Sequence, residues 1–224
     1  MIKNCQTLDE LWNIVDEINT RHFPENNLRP ILGDGHQSQP KIMFVFINPT
    51  HVNSSSDKNW IGPRYPFLGT KPLWRILHKA GLFDDHLIVK INNSKNWSLE
   101  LSHEVLAFLK SKSLYLTNIV KWTGQDASLP NSEKINLFLP LLEKEIELVQ
   151  PKHIVTFGLI PFENITRQKI KLKDYYYQIM QEQKLTYYNQ EFNGFKTKII
   201  PCYFPVGRGD PKKAVEILKF VSNL

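Results

Sequence analysis

Two asparagines stand at the ends of short apolar runs, where chemistry is easiest to place. "KIMFVFI" ends in Asn48-Pro49-Thr50-His51, and "SLYLT" ends in Asn118, with Lys121 and Trp122 close behind. A primary amide carries a donor and an acceptor side by side, so it can read the edge of a planar polar ring. A third run, "HIVTFG", ends at Gly158, and a fourth, "PCYF", ends in Phe204-Pro205-Val206-Gly207-Arg208-Gly209. Flanking glycines let backbone approach a ligand closely at Arg208. Between the first two runs, "GPRYPFLGTKPLW" adds Arg64, Tyr65, Phe67 and Trp74. Aromatic faces stack on flat rings and cations hold phosphates. Amides, aromatics and cations together suit a nucleobase drawn out of its stack. Plainer readings exist for several members. Asn-Pro also opens ordinary turns, Trp60 and Trp74 suit a core, and His51 suits a plain loop. Asn118 resists the plain reading, because an amide inside an apolar run needs partners when buried.

Alternating elements must hold these residues. "TLDELWNIVDEINTR" has an apolar helical stripe, and Thr7 and Glu10 stand at capping-box spacing. "KPLWRILHKAG", "SLELSHEVLAFLKS", "NSEKINLFLPLLEKEIELV" and "DPKKAVEILKFVSNL" are further helices, with Ser132 as a cap, Pro140 as a possible kink, and Asp210 with Pro211 opening the last. "KDYYYQIMQEQ" is a weaker helical candidate. "NNLRPILGDGHQSQP" reads as a loop. "LTYYNQEFNGFKTKIIPCYF" predicts two strands around an Asn193-Gly194 turn. Strands alternating with helices predict an α/β fold with a mostly parallel sheet. Ligands then bind beyond the carboxyl ends of the strands, so the polar loops after the four apolar runs should share one rim.

The chain has 224 residues with 42% hydrophobic content, which predicts one globular domain over 1–224. Its net charge of +6 favours a polyanionic partner, nucleic acid before an anionic membrane. Cys5 and Cys202 are too few for a disulfide framework or a four-cysteine metal site. "MIKNCQTLDELW" lacks an apolar signal core, and no run approaches spanning length. The expectation is a cytoplasmic monomer with no membrane association.

These motifs resemble the uracil-DNA glycosylase superfamily. "FINPTH" resembles its first motif, in the Asn-Pro form of the mismatch-specific uracil and thymine branch. "KPLWRILHKAGLF" is similar to the helix that follows. "YLTNIVKW" is similar to the strand whose asparagine pairs with uracil, and "IVTFG" to a strand ending in glycine. "YFPVGRGDPKKAVEIL" resembles the last motif, which grips DNA. The resemblance implies a three-layer fold with helices on both faces of the sheet, and DNA as partner. It implies that Asn48 positions the attacking water. Ile47, Thr50, Leu73, Asn118 and Phe204 would surround the base, with Leu73 at a stacking position. Val206, Gly207 and Arg208 would press into DNA, with Lys212 and Lys213 facing phosphate. No metal or organic cofactor is implied, since water attacks and the base leaves.

Three departures from the family pattern bear on activity. Asn48 replaces a carboxylate, and an amide orients water without accepting its proton. Phe204 replaces a histidine that stabilises the departing base, a kind of donor worth about 10²–10³ in rate. Two cysteines cannot build the four-cysteine iron–sulfur cluster of one branch. The expected function is therefore a glycosylase that removes a deaminated base. The alternatives are a catalytically weak DNA- or base-binding module on the same fold, and an unrelated α/β enzyme for a phosphorylated ligand.

Overall fold

The computed structural model describes residues 2–207 and 209–224. Six strands form one sheet: β1 (Asp34–Gly35), β2 (Ile42–Phe46), β3 (Leu114–Asn118), β4 (His153–Phe157), β5 (Tyr188–Phe192) and β6 (Phe195–Cys202). Their order is β1-β3-β2-β4-β6-β5. The four inner strands are parallel, and β1 and β5 add antiparallel edges. Every residue of β2 and β3 is buried, which is why both read as unbroken apolar runs. The β5–β6 hairpin turns at Asn193-Gly194 with φ of 45° and 87°, the left-handed pair that such a two-residue turn requires.

Among the described residues, eight α-helices cover the sheet: α1 (Leu8–His22), α2 (Pro72–Lys79), α3 (Asp85–Asn93), α4 (Leu99–Ser111), α5 (Ser132–Val149), α6 (Leu159–Thr166), α7 (Leu172–Glu182) and α8 (Pro211–Ser222). Alternate strand residues feed two separate cores. Phe44, Phe46, Leu116, Phe157 and Ile200 pack with α2, α3, α4, α7 and α8. Met43, Val45, Tyr115, Ile154 and Ile199 pack with α1, α5 and α6. The fold is thus the expected α/β arrangement of three layers.

Local departures from the sequence reading have physical causes. The cap of α5 is Asn131, whose Oδ1 accepts from the Lys134 N–H at 3.0 Å; Ser132 already lies within the first turn. Pro140 sits on an exposed position of α5, which runs on to Val149. The Asp84 carboxylate accepts from the N–H groups of His86 and Leu87 and so starts α3, a helix the sequence reading left unassigned. In the stretch read as a loop, Gly35 has a φ of 136°, and a Cβ there would lie 2.2 Å from the Leu114 carbonyl oxygen. Only glycine lets this backbone come close enough to pair with β3.

One charged pair lies wholly inside the structure. Lys121 and Glu145 are both 0% exposed and form an ion pair. Glu145 also accepts from the Tyr115 hydroxyl at 2.9 Å and from the Thr117 hydroxyl at 3.0 Å. Lys121 Nζ donates to the Asn118 carbonyl at 2.8 Å and to Thr117 Oγ1. Burial pushes the Lys121 pKa down while Glu145 pulls it up. The sequence reading grouped Lys121 with the cations of the rim. The structure corrects this: its ammonium turns inward and ties the residues after β3 to α5.

Removing one partner should leave an uncompensated buried charge. Lys121→Met or Glu145→Ala is expected to cost about 3–5 kcal/mol in urea unfolding. The double variant Lys121→Met/Glu145→Leu is expected to recover most of that loss, because it buries no charge.

Candidate active site

The sheet has a switch point beside β2. The chain passes from β2 to β3 on one side and then crosses to β4 on the other. Loops leaving such neighbours part in opposite directions and open a crevice at the carboxyl ends. Here the crevice is a cavity of about 1190 Å³. Its walls come from the segment after β2 (Ile47 to Thr50, Val52 and Asn53), from residues between Pro66 and Pro72 leading into α2, from Asn118 with Asp126 to Leu129 after β3, and from Phe204, Val206, Gly207 and Gly209 after β6.

The first and third of these segments are laced together by backbone. Pairing continues past the strands, with Ile119 and Val120 N–H donating to the Phe46 and Ile47 carbonyls at 2.9 and 3.0 Å. The Gly124 N–H then donates to the Pro49 carbonyl at 2.9 Å, and the Gly124 carbonyl accepts from the His51 N–H at 2.9 Å. Ile47 therefore offers a cavity wall, its carbonyl already engaged. Asn48 is half-buried on that wall, and its Nδ2 reaches the Pro49 carbonyl only at 3.3 Å. Thr50 stands beside it, while His51 is exposed and does not line the cavity.

Asn118 is 1% exposed and lines the same cavity. Its carbonyl is held by Lys121, but its Nδ2 has no hydrogen-bond partner among the described residues. A buried donor left unpaired costs about 1–3 kcal/mol, so this amide on the cavity wall is available to an acceptor.

The aromatic wall differs from expectation. Leu73 is 0% exposed in the core and does not line the cavity, because its side of α2 faces the sheet. Phe67 lines it instead. Its φ is 63°, which a bulky side chain rarely adopts. The Phe67 carbonyl accepts from Trp74 Nε1 at 3.1 Å and from the Thr70 hydroxyl at 2.9 Å, bonds that hold the backbone there. The Phe67 ring meets Phe46 edge-on at 4.7 Å. Tyr65 and Trp74, grouped with the rim in the sequence reading, are wholly buried. Arg64 donates to both Asp16 carboxylate oxygens at 3.0 and 2.7 Å and is spent on that structural pair.

The last loop brings Phe204, Val206 and Gly207 to the cavity. Gly207 has a φ of 59°, and a Cβ on Gly209 would lie 1.8 Å from the Phe204 carbonyl oxygen. Both glycines are therefore demanded by backbone geometry. Arg208 lies outside the described residues. Lys212 is exposed on the first turn of α8. Lys213 is more occupied: it pairs with Asp210 at 3.0 Å and stands over the rings of Tyr203 and Tyr176 at 5.1 and 5.5 Å. Its hydrogen bond to Asp210 holds its pKa up. Asp126 and Leu129, which sequence reasoning passed over inside a polar loop, also line the cavity, and Leu129 is 64% exposed.

Among the described residues, no group of three or more His, Cys, Asp or Glu side chains is placed to hold a metal ion. No described helix is long and apolar enough to cross a membrane.

The model of one protein family, the Uracil DNA glycosylase superfamily, matches residues 32–220. No curated protein matches the sequence. The matched span holds all six strands, every wall of the cavity and most of α8. The chain belongs to the uracil DNA glycosylase superfamily.

Proposed function

We propose that this protein is a DNA base-excision glycosylase that hydrolyses the N-glycosidic bond of a flipped deaminated base, uracil or a relative. Superfamily membership supports hydrolytic glycosylase chemistry on DNA. The single observation that carries the finer reading is the unpaired Asn118 Nδ2 donor, buried on the cavity wall. In this reading that N–H meets a ring carbonyl and gains strength as negative charge grows on the departing base. Asn48 orients water toward the sugar's anomeric carbon. Phe67 takes the stacking role first assigned to Leu73, and Ile47, Thr50 and Phe204 shape the rest of the pocket. Val206 and Gly207 press on the DNA, Lys212 meets phosphate, and Arg208 is assigned to the same surface on sequence grounds. The enzyme acts as a monomer without metal or organic cofactor.

A second reading is a binding module with little chemistry. Asn48 and Phe204 favour it, since each stands where a better catalytic group is usual. Oligonucleotides carrying uracil, hypoxanthine, xanthine or mismatched thymine, followed by alkaline cleavage of abasic sites, separate the two readings. Base release is expected for at least one of the four. Asn118→Asp is expected to change the order of preference, by about 1–3 kcal/mol for a paired contact. An unaltered order removes Asn118 from recognition.

Binding should register phosphate contacts. Lys212→Ala is expected to flatten the plot of log affinity against log salt by about 0.7–0.9, the loss of one contact. Lys213→Ala should also disturb the cap and the tyrosine contacts of α8, so its effect is expected to include a lower Tm.

Chemistry should respond to restored groups. Phe204→His adds a donor beside the leaving base, and Asn48→Asp adds a proton acceptor beside water. Each is expected to raise single-turnover uracil excision about tenfold or more, because the gain is felt mainly in the transition state. Slower excision by Phe204→His would remove that residue from the leaving-group side.

A further inference from the structure

The cavity walls contain one carboxylate among the described residues, Asp126; the one lysine there, Lys71, donates to the Asn92 carbonyl at 2.8 Å. We propose that Asp126 supplies the negative charge and the proton acceptor that the first motif, with Asn48, does not. This rests on the glycosylase reading and names a catalytic residue within it. Breaking the C1′–N bond builds positive charge on the sugar, and a fixed anion nearby stabilises it. An amide at position 48 cannot do this.

Geometry supports the assignment. The loop carrying Asp126 is not free to drift from the first motif. Two residues earlier, Gly124 is bonded to Pro49 and His51 on both its backbone groups and bridges to Thr50. Gly124 also lies where the two walls meet. A Cβ there would stand 3.1 Å from the Asp126 carbonyl oxygen and 3.6 Å from Asn48 Nδ2. The Asp126 carboxylate is itself held, accepting from the Ser128 N–H at 2.9 Å. Hydrogen bonds from the Ser128 side chain and backbone hold its carboxyl below the usual carboxylate range, so it stays ionised at neutral pH. That suits charge stabilisation first and proton acceptance second.

The step balances with water as the only co-reactant. The water oxygen forms a bond to C1′ while the C1′–N bond breaks. The bonding pair leaves with the base, whose anion is held by the Asn118 N–H. One water proton passes to the Asp126 carboxylate and on to solvent, and the base anion takes a proton from solvent after release.

The test compares wild type, Asp126→Asn and Asp126→Glu on the base that wild type releases best. Single-turnover excision is measured with enzyme in excess. Affinity is measured on an oligonucleotide carrying a tetrahydrofuran abasic analogue. Asp126→Asn is expected to slow excision about 100-fold or more, within the range for a positioned acid or base. Its affinity for the analogue should remain within about threefold and its Tm unchanged, as befits an exposed side chain. Asp126→Glu keeps the charge and should retain at least about a tenth of the wild-type rate, an allowance for a displaced carboxylate. Excision by Asp126→Asn within about threefold of wild type overturns the proposal, as does Asp126→Glu falling as far as Asp126→Asn. A wild type that releases no base from any oligonucleotide overturns the glycosylase reading itself, and this proposal with it.

Discussion

The architecture of the cavity hangs on the Lys121–Glu145 pair. A buried charge is tolerated only when its partner and its remaining hydrogen bonds are all in place. Glu145 meets this demand with Lys121 and two hydroxyls from β3, and Lys121 meets it with Glu145, Thr117 and the Asn118 carbonyl. Gly33 seals the site, since a Cβ there would lie 2.0 Å from Glu145 Oε1. The consequence is positional. Asn118 has its backbone fixed from behind while its side-chain amide stays unpaired in front. The residues that follow are led back across the end of β2, where Gly124 joins the first motif.

The rest of the cavity repeats this division of labour. Backbone and buried side chains set the walls, and a few polar atoms are left over. Asn53 donates to the Tyr65 carbonyl at 2.9 Å and accepts from Ser55, drawing two wall segments together. Phe67 is held in a left-handed conformation by three donors on its carbonyl, the Thr70 N–H and hydroxyl and Trp74 Nε1. Strained backbone persists only where surrounding bonds over-determine it. Against walls made this firmly, the Asn118 Nδ2 stands out as a buried donor on the cavity wall with no partner among the described residues.

The four apolar runs, the alternation of strands and helices, and the shared rim could all be read from sequence because each is a local pattern. Asn48 and Asn118 were legible because an amide at the end of an apolar strand is conspicuous. Lys121 was not. Its partner lies 24 residues away on a helix whose sequence offers many charged positions, so nothing local marks Glu145 as buried. Leu73 and Phe67 were exchanged for a related reason. A motif's position along a helix does not tell which flank looks into the cavity, and the positive φ of Phe67 has no sequence signature. The N-cap slipped from Asn131 to Ser132 because both residues are good caps and stand side by side.

The last loop carries a consequence for how this protein can change. Its shape is written in main-chain atoms: Gly209 against the Phe204 carbonyl, the left-handed Gly207, and Asp210 starting α8. None of these depends on the side chain at Val206, which is half-buried at the cavity mouth. Gly207 is thus fixed by its φ and Gly209 by close approach to backbone, while the loop's fold places no such demand on the side chain at 206. A lineage can trial new tips on a constant scaffold, altering what the loop touches without having to relearn how the loop folds.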